Sequence, residues 1–361
     1  MSMRRIAVIG GGIAGLTVAL RRSAAGDHVV LFEAATKVGG QLASESSDGF
    51  VIEHGAEGFV ARSEVVPALA ENAGIADHVI EQLVQRSFRF DAGELIELAP
   101  GEAGRLLGFQ VATEELGRGI RSFRHGMAEL PERVAFTLGP RVELRLGISV
   151  ESIAPRAPGV TVTTMDSKSH DFEGAVVATT ARSAAGLLGA AFGSAARALE
   201  EASLLSSLTV TLAFRTEHVH HPLDGTGFIV PSPAQLGGVR AVTFVSSKLP
   251  HRAPSGSVSL RVFFRPSAAD LRTLSDANWA ERAERALGLA LPLSGPAQRA
   301  WVSRWTDALP VFDEAHRARV AALERVLSGH PIRLAGAAFH GSGIDAAIRS
   351  AQSAARSLSH I

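Results

Sequence analysis

Three glycines and one acid carry the plainest chemical signal in the chain. Gly10, Gly12 and Gly15 stand in a GxGxxG spacing, and Glu33 follows 18 residues after the last of them. The first glycine permits a tight turn. The second lets backbone approach a pyrophosphate, and the third lets a helix pack closely on a strand. The acid can accept hydrogen bonds from ribose hydroxyls. It would repel a 2′-phosphate, so FAD or NAD suits the pattern better than NADP. The chemistry implied is dinucleotide binding, with the redox step carried by the ligand.

These residues need a strand, a turn, a helix and a second strand to position them, and residues 6–33 read that way. Ile6, Ala7, Val8 and Ile9 form the short apolar run of a strand buried on both faces. Leu16, Ala19 and Leu20 give the next segment a helical apolar face, Gly26 ends it, and Val29 to Phe32 form the second strand. The helix N-terminus then points free N–H groups and the positive end of its dipole at the phosphates. Arg4 and Arg5 before an apolar stretch could suggest an export leader. Four glycines inside that stretch and Arg21 and Arg22 just after it argue otherwise.

Two further blocks favour FAD over NAD. Lys37, Val38, Gly39, Gly40 and Gln41 follow the Glu33 strand, and DGFVIEHGAEGF follows from Asp48. Gly39 and Gly40, with Lys37 near, allow a second backbone approach to the pyrophosphate, and His54, Gly55 and Ala56 form a small-residue turn. More than 300 residues away, RLAGAAFHGSGIDAAIRSAQSAAR runs from Arg333. Ile332 to Ala335 read as a last buried strand, with Gly336 and Ala337 turning out of it. Gly341 and Gly343 precede a small-residue helix, with Ser342 or Asp345 as candidate caps. That helix N-terminus, aimed at the isoalloxazine N1–C2=O edge, would stabilise negative charge on reduced flavin.

Composition narrows the classes. The chain has 361 residues, 46% apolar and 20% charged, enough for a well-buried core and two domains. Zero net charge gives no reason to expect nucleic acid as a partner. No cysteine is present, which excludes disulfides, thiolate catalysis and iron–sulfur clusters. Tyrosine is also absent, so none can act as an acid or line a substrate cage. No apolar run reaches the ~20 residues of a membrane span, and the expected location is the cytoplasm. The 13 histidines are scattered without HExxH or similar spacing, so no metal site is expected. Neither GxSxG nor GxxxxGK[ST] occurs.

The motifs together resemble the FAD-dependent amine oxidase superfamily and, within it, the oxygen-dependent protoporphyrinogen and coproporphyrinogen oxidases. KVGGQLASESSDGFVIEHGAEGF resembles the family's N-terminal flavin block, and FRHGMAELPERVAFTLG from Phe123 its glycine–methionine helix. DGTGFIVPS and FVSSKLPHRAPSG resemble its substrate-domain strands. RWTDALPVFDEAHRARV and AGAAFHGSGIDAAI resemble its C-terminal signature. By that resemblance Gly10, Gly12, Ile13, Ala14, Gly15, Glu33, Ala34, Lys37, Gly39, Gly40, Gly55, Ala56, Val150, Thr179, Gly336, Gly343 and Ile344 fall at FAD-contacting positions. Val150 would offer backbone hydrogen bonds to adenine. Gln41 stands where the family often has Lys or Arg, and Ala337 where it has an acid or amide beside the ribityl chain.

The resemblance implies an α/β fold of the GR2 flavoprotein type. Its Rossmann-like FAD-binding domain takes residues 1–60, 122–202 and 305–361. An interleaved α+β substrate domain takes 61–121 and 203–304. Within the latter, LTVTLAF and SVSLRVFF alternate apolar and polar residues, as an antiparallel sheet should. SDANWAERAERALGLAL from Ser275 reads as a capped amphipathic helix. The family's long helical lid is replaced by about 20 residues, Glu102 to Arg121. The pocket is therefore expected to be more open, without a membrane-docking surface.

The reaction implied is oxidation of a porphyrinogen, with hydride passing to flavin N5 and O2 reoxidising the flavin to give H2O2. No obligate catalytic side chain is expected. Arg86 and Arg89 could bind propionates, Phe228, Phe244 and Phe264 could line an apolar cavity or pack a core, and His340 lies in a turn near the expected flavin. Two other readings stay open. One is a flavoenzyme for another hydrophobic or amine substrate, and the other is a non-catalytic FAD-binding relative.

Overall fold

The computed structural model describes residues 3–107 and 118–358. Its centre is a five-stranded parallel sheet in the order Val142–Leu146, His28–Glu33, Arg5–Ile9, Gly174–Val177, Ile332–Leu334. Register pairs Ile6 with both Val29 and Gly174. Both faces are buried, which explains the unbroken apolar runs. Ile6, Val8, Val29 and Leu31 face one core, and Ala7, Ile9, Val30 and Phe32 face the other, as the two-residue period of a strand requires.

Four helices cover the first face: Ile13–Ala24, Val65–Asn72, Glu129–Thr137 and Ile344–Ser357. Val66, Leu69 and Ala70 thus enter the cofactor-side core, although they lie in a stretch expected to serve the substrate domain. The first and last helices are tied by Arg22. It is buried, donates to the Ala355 carbonyl at 2.9 Å and forms an ion pair with Asp27. The opposite face is covered by the helices Ala181–Arg197 and Glu314–Leu327, and by a three-stranded antiparallel meander, Val150–Pro155, Val160–Thr164 and Ser169–Phe172.

A second, seven-stranded sheet runs Arg299–Pro310, Leu204–Arg215, Ser257–Phe264, Val239–Phe244, Gly227–Ile229, Phe88–Asp91, Glu94–Glu97. All neighbours are antiparallel except the Phe88–Phe228 pairing. Trp279, Ala283 and Leu287 of the Asp276–Ala290 helix pack against it. That helix opens on a capping box between Ser275 and Asn278. Of the expected short lid, the helix Glu102–Leu106 is described, while positions 108–117 lie outside the described residues.

Candidate functional site

The Arg5–Ile9 strand exits through Gly10, whose φ of +108° side chains rarely adopt, into the helix Ile13–Ala24. Gly15 packs so tightly that an added Cβ would lie 1.9 Å from the Gly10 carbonyl oxygen. At Gly12, an added Cβ would meet nothing within 4 Å. Gly12 caps the helix without any side-chain hydrogen bond. The first N–H groups, which no turn of helix can satisfy, therefore face open space. Glu33 accepts N–H bonds from Gly11 at 2.6 Å and Ala35 at 2.8 Å, and each carboxylate oxygen keeps a free lone pair for a ribose hydroxyl.

The last helix repeats the design. Its cap is Gly343, at φ +93°, with no side-chain hydrogen bond and open space where a Cβ would stand. Neither Ser342 nor Asp345 caps it, contrary to the expectation from sequence, because a glycine in this backbone conformation starts the helix instead.

Between the two helix N-termini runs one cleft of about 700 Å³, within the range of small-molecule and cofactor sites. Of the expected cofactor positions, Gly10, Gly12, Ile13, Ala14, Glu33, Ala34, Gly39, Gly40, Gln41, Ala56, Val150, Thr179, Gly336, Ala337, Gly343 and Ile344 line it. Three do not. Gly15 sits behind the turn, Gly55 is pressed against Gln41 (an added Cβ would lie 1.8 Å from its carbonyl oxygen), and Lys37 is exposed outside the cleft. Two backbone-lined, glycine-capped helix ends lining one cleft, with Glu33 in the same lining, fit a dinucleotide such as FAD. Gln41 also has a second job that its spacing did not reveal. Its amide donates to the Ala308 carbonyl at 3.0 Å and ties the cofactor half to the seven-stranded sheet.

Sequence reasoning missed the opposite wall. Asp307 to Pro310 and Leu204 close the cleft, at the edge strand of the seven-stranded sheet. Asp307 has a φ of +49°, receives Arg182 at 2.9 Å and accepts a hydrogen bond from Ser206 at 3.3 Å. No local spacing announces this wall. It arises because strands 204–215 and 299–310 pair across nearly a hundred residues, with a bulge between Leu205 and Ser207.

None of the four expected substrate residues reaches the cleft. Arg86 is held by Glu97 at 2.8 Å and by Asp224, and Arg89 by Asp91 at 2.5 Å. The strand bearing Arg89 is five places from the cleft edge of its sheet, which is about 24 Å at the usual strand spacing. Phe228 is buried in the core of that sheet together with Phe244 and Phe264. His340 faces away from the cleft. It bonds Ser350 and Glu324, each at 2.7 Å, in a separate cavity behind the last helix.

Behind the Gly55–Ala56 turn lies a dry layer of charge. Glu53 and Glu57 meet three cations from the segment 248–261. Lys248 contacts Glu57 at 2.8 Å, and Arg252 contacts Glu53 at 3.3 Å. Arg261 donates to the Gly55 carbonyl at 2.9 Å and to Thr209 Oγ1 at 3.2 Å. Burial pushes the Glu53 carboxyl up to about 7, against the pull of Arg252, Ser44 and the Met127 N–H. Burial also pushes Glu57 upward, but Lys248 and Arg261 outweigh it and leave that carboxyl below its ordinary range. Glu129 also acts on Arg252, so three carboxylates meet three cations in the layer behind Ala56, which lines the cleft.

The fold and the cleft define the class: an FAD-dependent oxidoreductase with a Rossmann-type cofactor site. The family described as flavin containing amine oxidoreductase matches residues 81–359, and an NAD(P)-binding Rossmann-like domain matches 8–72. The chain belongs to the flavin-containing amine oxidoreductase family. It is 39% identical over 103 residues to a coproporphyrinogen III oxidase of Mycobacterium bovis, a match covering 28% of this chain and 23% of that one. It is 28% identical over 239 residues to the coproporphyrinogen III oxidase of Propionibacterium freudenreichii, covering 65% and 44%. These matches thus span less than half the length of the curated relatives. Among solved structures, a provisionally named protoporphyrinogen oxidase from Exiguobacterium sp. 255-15 superposes with a TM-score of 0.83 over 99% of both chains, at 22% identity. No helix among the described residues is long and apolar enough to cross a membrane.

Proposed function

We propose that this chain oxidises a porphyrinogen to a porphyrin, with FAD as hydride acceptor and O2 as the terminal oxidant. The observation that carries the reading is the single cleft joining two glycine-capped helix ends, in a chain whose relatives are named coproporphyrinogen III oxidase. Bound FAD supplies two-electron redox chemistry. The chain's own residues do the rest. The N–H groups opening the Ile13–Ala24 helix hold the pyrophosphate, and Glu33 holds the ribose. The N-terminus of Ile344–Ser357 would lie at the redox-active end, where the positive end of a helix dipole favours negative charge. Asp307 to Pro310 form the wall against which a substrate is oriented.

One observation favours a second reading within the family. The described residues lining the cleft include the carboxylates Glu33, Glu151 and Asp307 but no Lys, Arg or His. Arg182, which lies between the cleft-lining Ala181 and Ser183, is already paired with Asp307. A neutral or amine substrate suits such a lining better. FAD-loaded protein mixed anaerobically with coproporphyrinogen III, protoporphyrinogen IX or a panel of amines separates the two. Flavin bleaching with the porphyrinogens, followed in air by porphyrin fluorescence, supports the first reading. Bleaching by an amine alone replaces it with the second, and bleaching by none of them removes both.

A further inference from the structure

We propose that His78, His125 and Glu129 form a binding site for a divalent transition-metal ion of the zinc type, separate from the cofactor cleft. Each residue offers one ligand atom, and the three atoms lie within 4.8 Å of one another. Two imidazoles and one carboxylate are a common donor set for such ions, with bonds of about 2.0–2.2 Å. Tetrahedral coordination places ligand atoms about 3.4 Å apart, so side-chain rotation of an ångström or so closes the set.

The fold builds this cluster from three elements. The strands Val79–Glu81 and Ile120–Phe123 pair antiparallel with Val79 opposite Phe123. The pairing continues as the Arg124 N–H donates to the His78 carbonyl at 2.8 Å. His125 therefore stands beside His78, and their rings meet edge to face at 5.5 Å. A turn through Gly126, at φ +100°, then starts the helix Glu129–Thr137 with Glu129 at its first position. One Glu129 oxygen meets His78 Nδ1, and the other accepts the His125 backbone N–H at 3.4 Å.

A hydrogen bond between His78 and Glu129 accounts for two of the three groups. It leaves the His125 ring at the same spot without a polar partner of its own among the described residues. A shared cation accounts for all three. His125 is exposed, so the remaining coordination positions open to water. The Asp77 carboxylate lies 4.0 Å from His78 Nε2, and buried Arg252 interacts electrostatically with Glu129. No member of the cluster lines the cofactor cleft. Bound metal would clip the 120–125 strand end to a helix of the Rossmann core. His78 and His125 are 47 residues apart in sequence, which is why no local spacing reveals them.

The test uses FAD-loaded protein stripped with a chelator and titrated with zinc sulfate, with metal content measured after gel filtration. The expected result is one retained equivalent and a melting temperature raised by about 3–5 °C at saturation. His125→Gln, an exposed and well-tolerated change, and Glu129→Gln should each weaken binding by about tenfold or more. Circular dichroism verifies their folding. His220→Gln with His221→Gln should leave binding unchanged. Failure of the wild-type protein to retain zinc would overturn the site. So would wild-type affinity in a His78→Gln, His125→Gln double variant, or loss of binding in the 220/221 control.

Discussion

The cofactor half and the sheet half of this molecule hold their residues by different physics. Around the cleft, position is set by backbone. Glycines at 10, 12, 15 and 343 create turns, close approaches and uncapped helix ends, and Glu33 is the principal charged group involved. Behind the Gly55–Ala56 turn, position is set by side chains. Lys248, Arg252 and Arg261 reach from the sheet half to Glu53, Glu57 and the Gly55 carbonyl, and burial leaves little water to absorb a mismatch. The first region should therefore respond to added volume and the second to changes of charge.

The largest effect should come from a methyl group added at a tight turn of the cofactor half. Gly15→Ala puts a Cβ onto the Gly10 carbonyl and should cost on the order of 3–5 kcal/mol, read as a lower denaturation midpoint. A midpoint near wild type would show that the strand–helix contact yields easily.

Next in size is a pH effect from the charged layer. The Glu53 carboxyl is raised to about 7 in the fold, against an ordinary value of 4.5. The folded state thus holds the proton more tightly than the unfolded one. The stabilisation is complete below about pH 4.5 and is lost as pH rises through about 7. It amounts to roughly 3 kcal/mol across that window. Denaturation midpoints from pH 5 to 8 should fall less steeply in Glu53→Gln, and identical slopes in the two proteins would place the titrating group elsewhere.

Gly12→Ala adds the same methyl where the folded chain has empty space. Its stability should match wild type, while FAD affinity drops about 50-fold, roughly 2.3 kcal/mol. Flavin-quenching titration measures this, and unchanged affinity would remove Gly12 from the pyrophosphate path. The smallest effect belongs to Arg86→Ala. This exposed side chain does not line the cleft, so neither melting temperature nor the rate of flavin bleaching by a porphyrinogen should move, and slower bleaching would return Arg86 to the site as a propionate partner.

The same contrast explains what could be read in the chain before folding. Gly10, Gly12, Gly15 and Glu33 act within one strand–turn–helix–strand unit, so their spacing alone carried their roles. Val150 and Thr179 come from separate segments, and resemblance to a family, rather than periodicity, pointed to them. Arg86 and Arg89 read as candidate propionate partners on a pocket strand. Their carboxylate partners and their distance along the sheet depended on strand order, which no local pattern encodes. His340 was close to the right loop in sequence but turned to the other side of the helix it precedes.

By itself the sequence determined the Rossmann start, the glycine turns of the first and last blocks and the preference for FAD, because backbone conformation and helix dipoles follow from residues a few positions apart. Tertiary structure alone decided which wall faces the cofactor, where the buried charged layer lies and which histidines meet. Those are encounters between segments tens to hundreds of residues apart, and only strand order and burial bring them together.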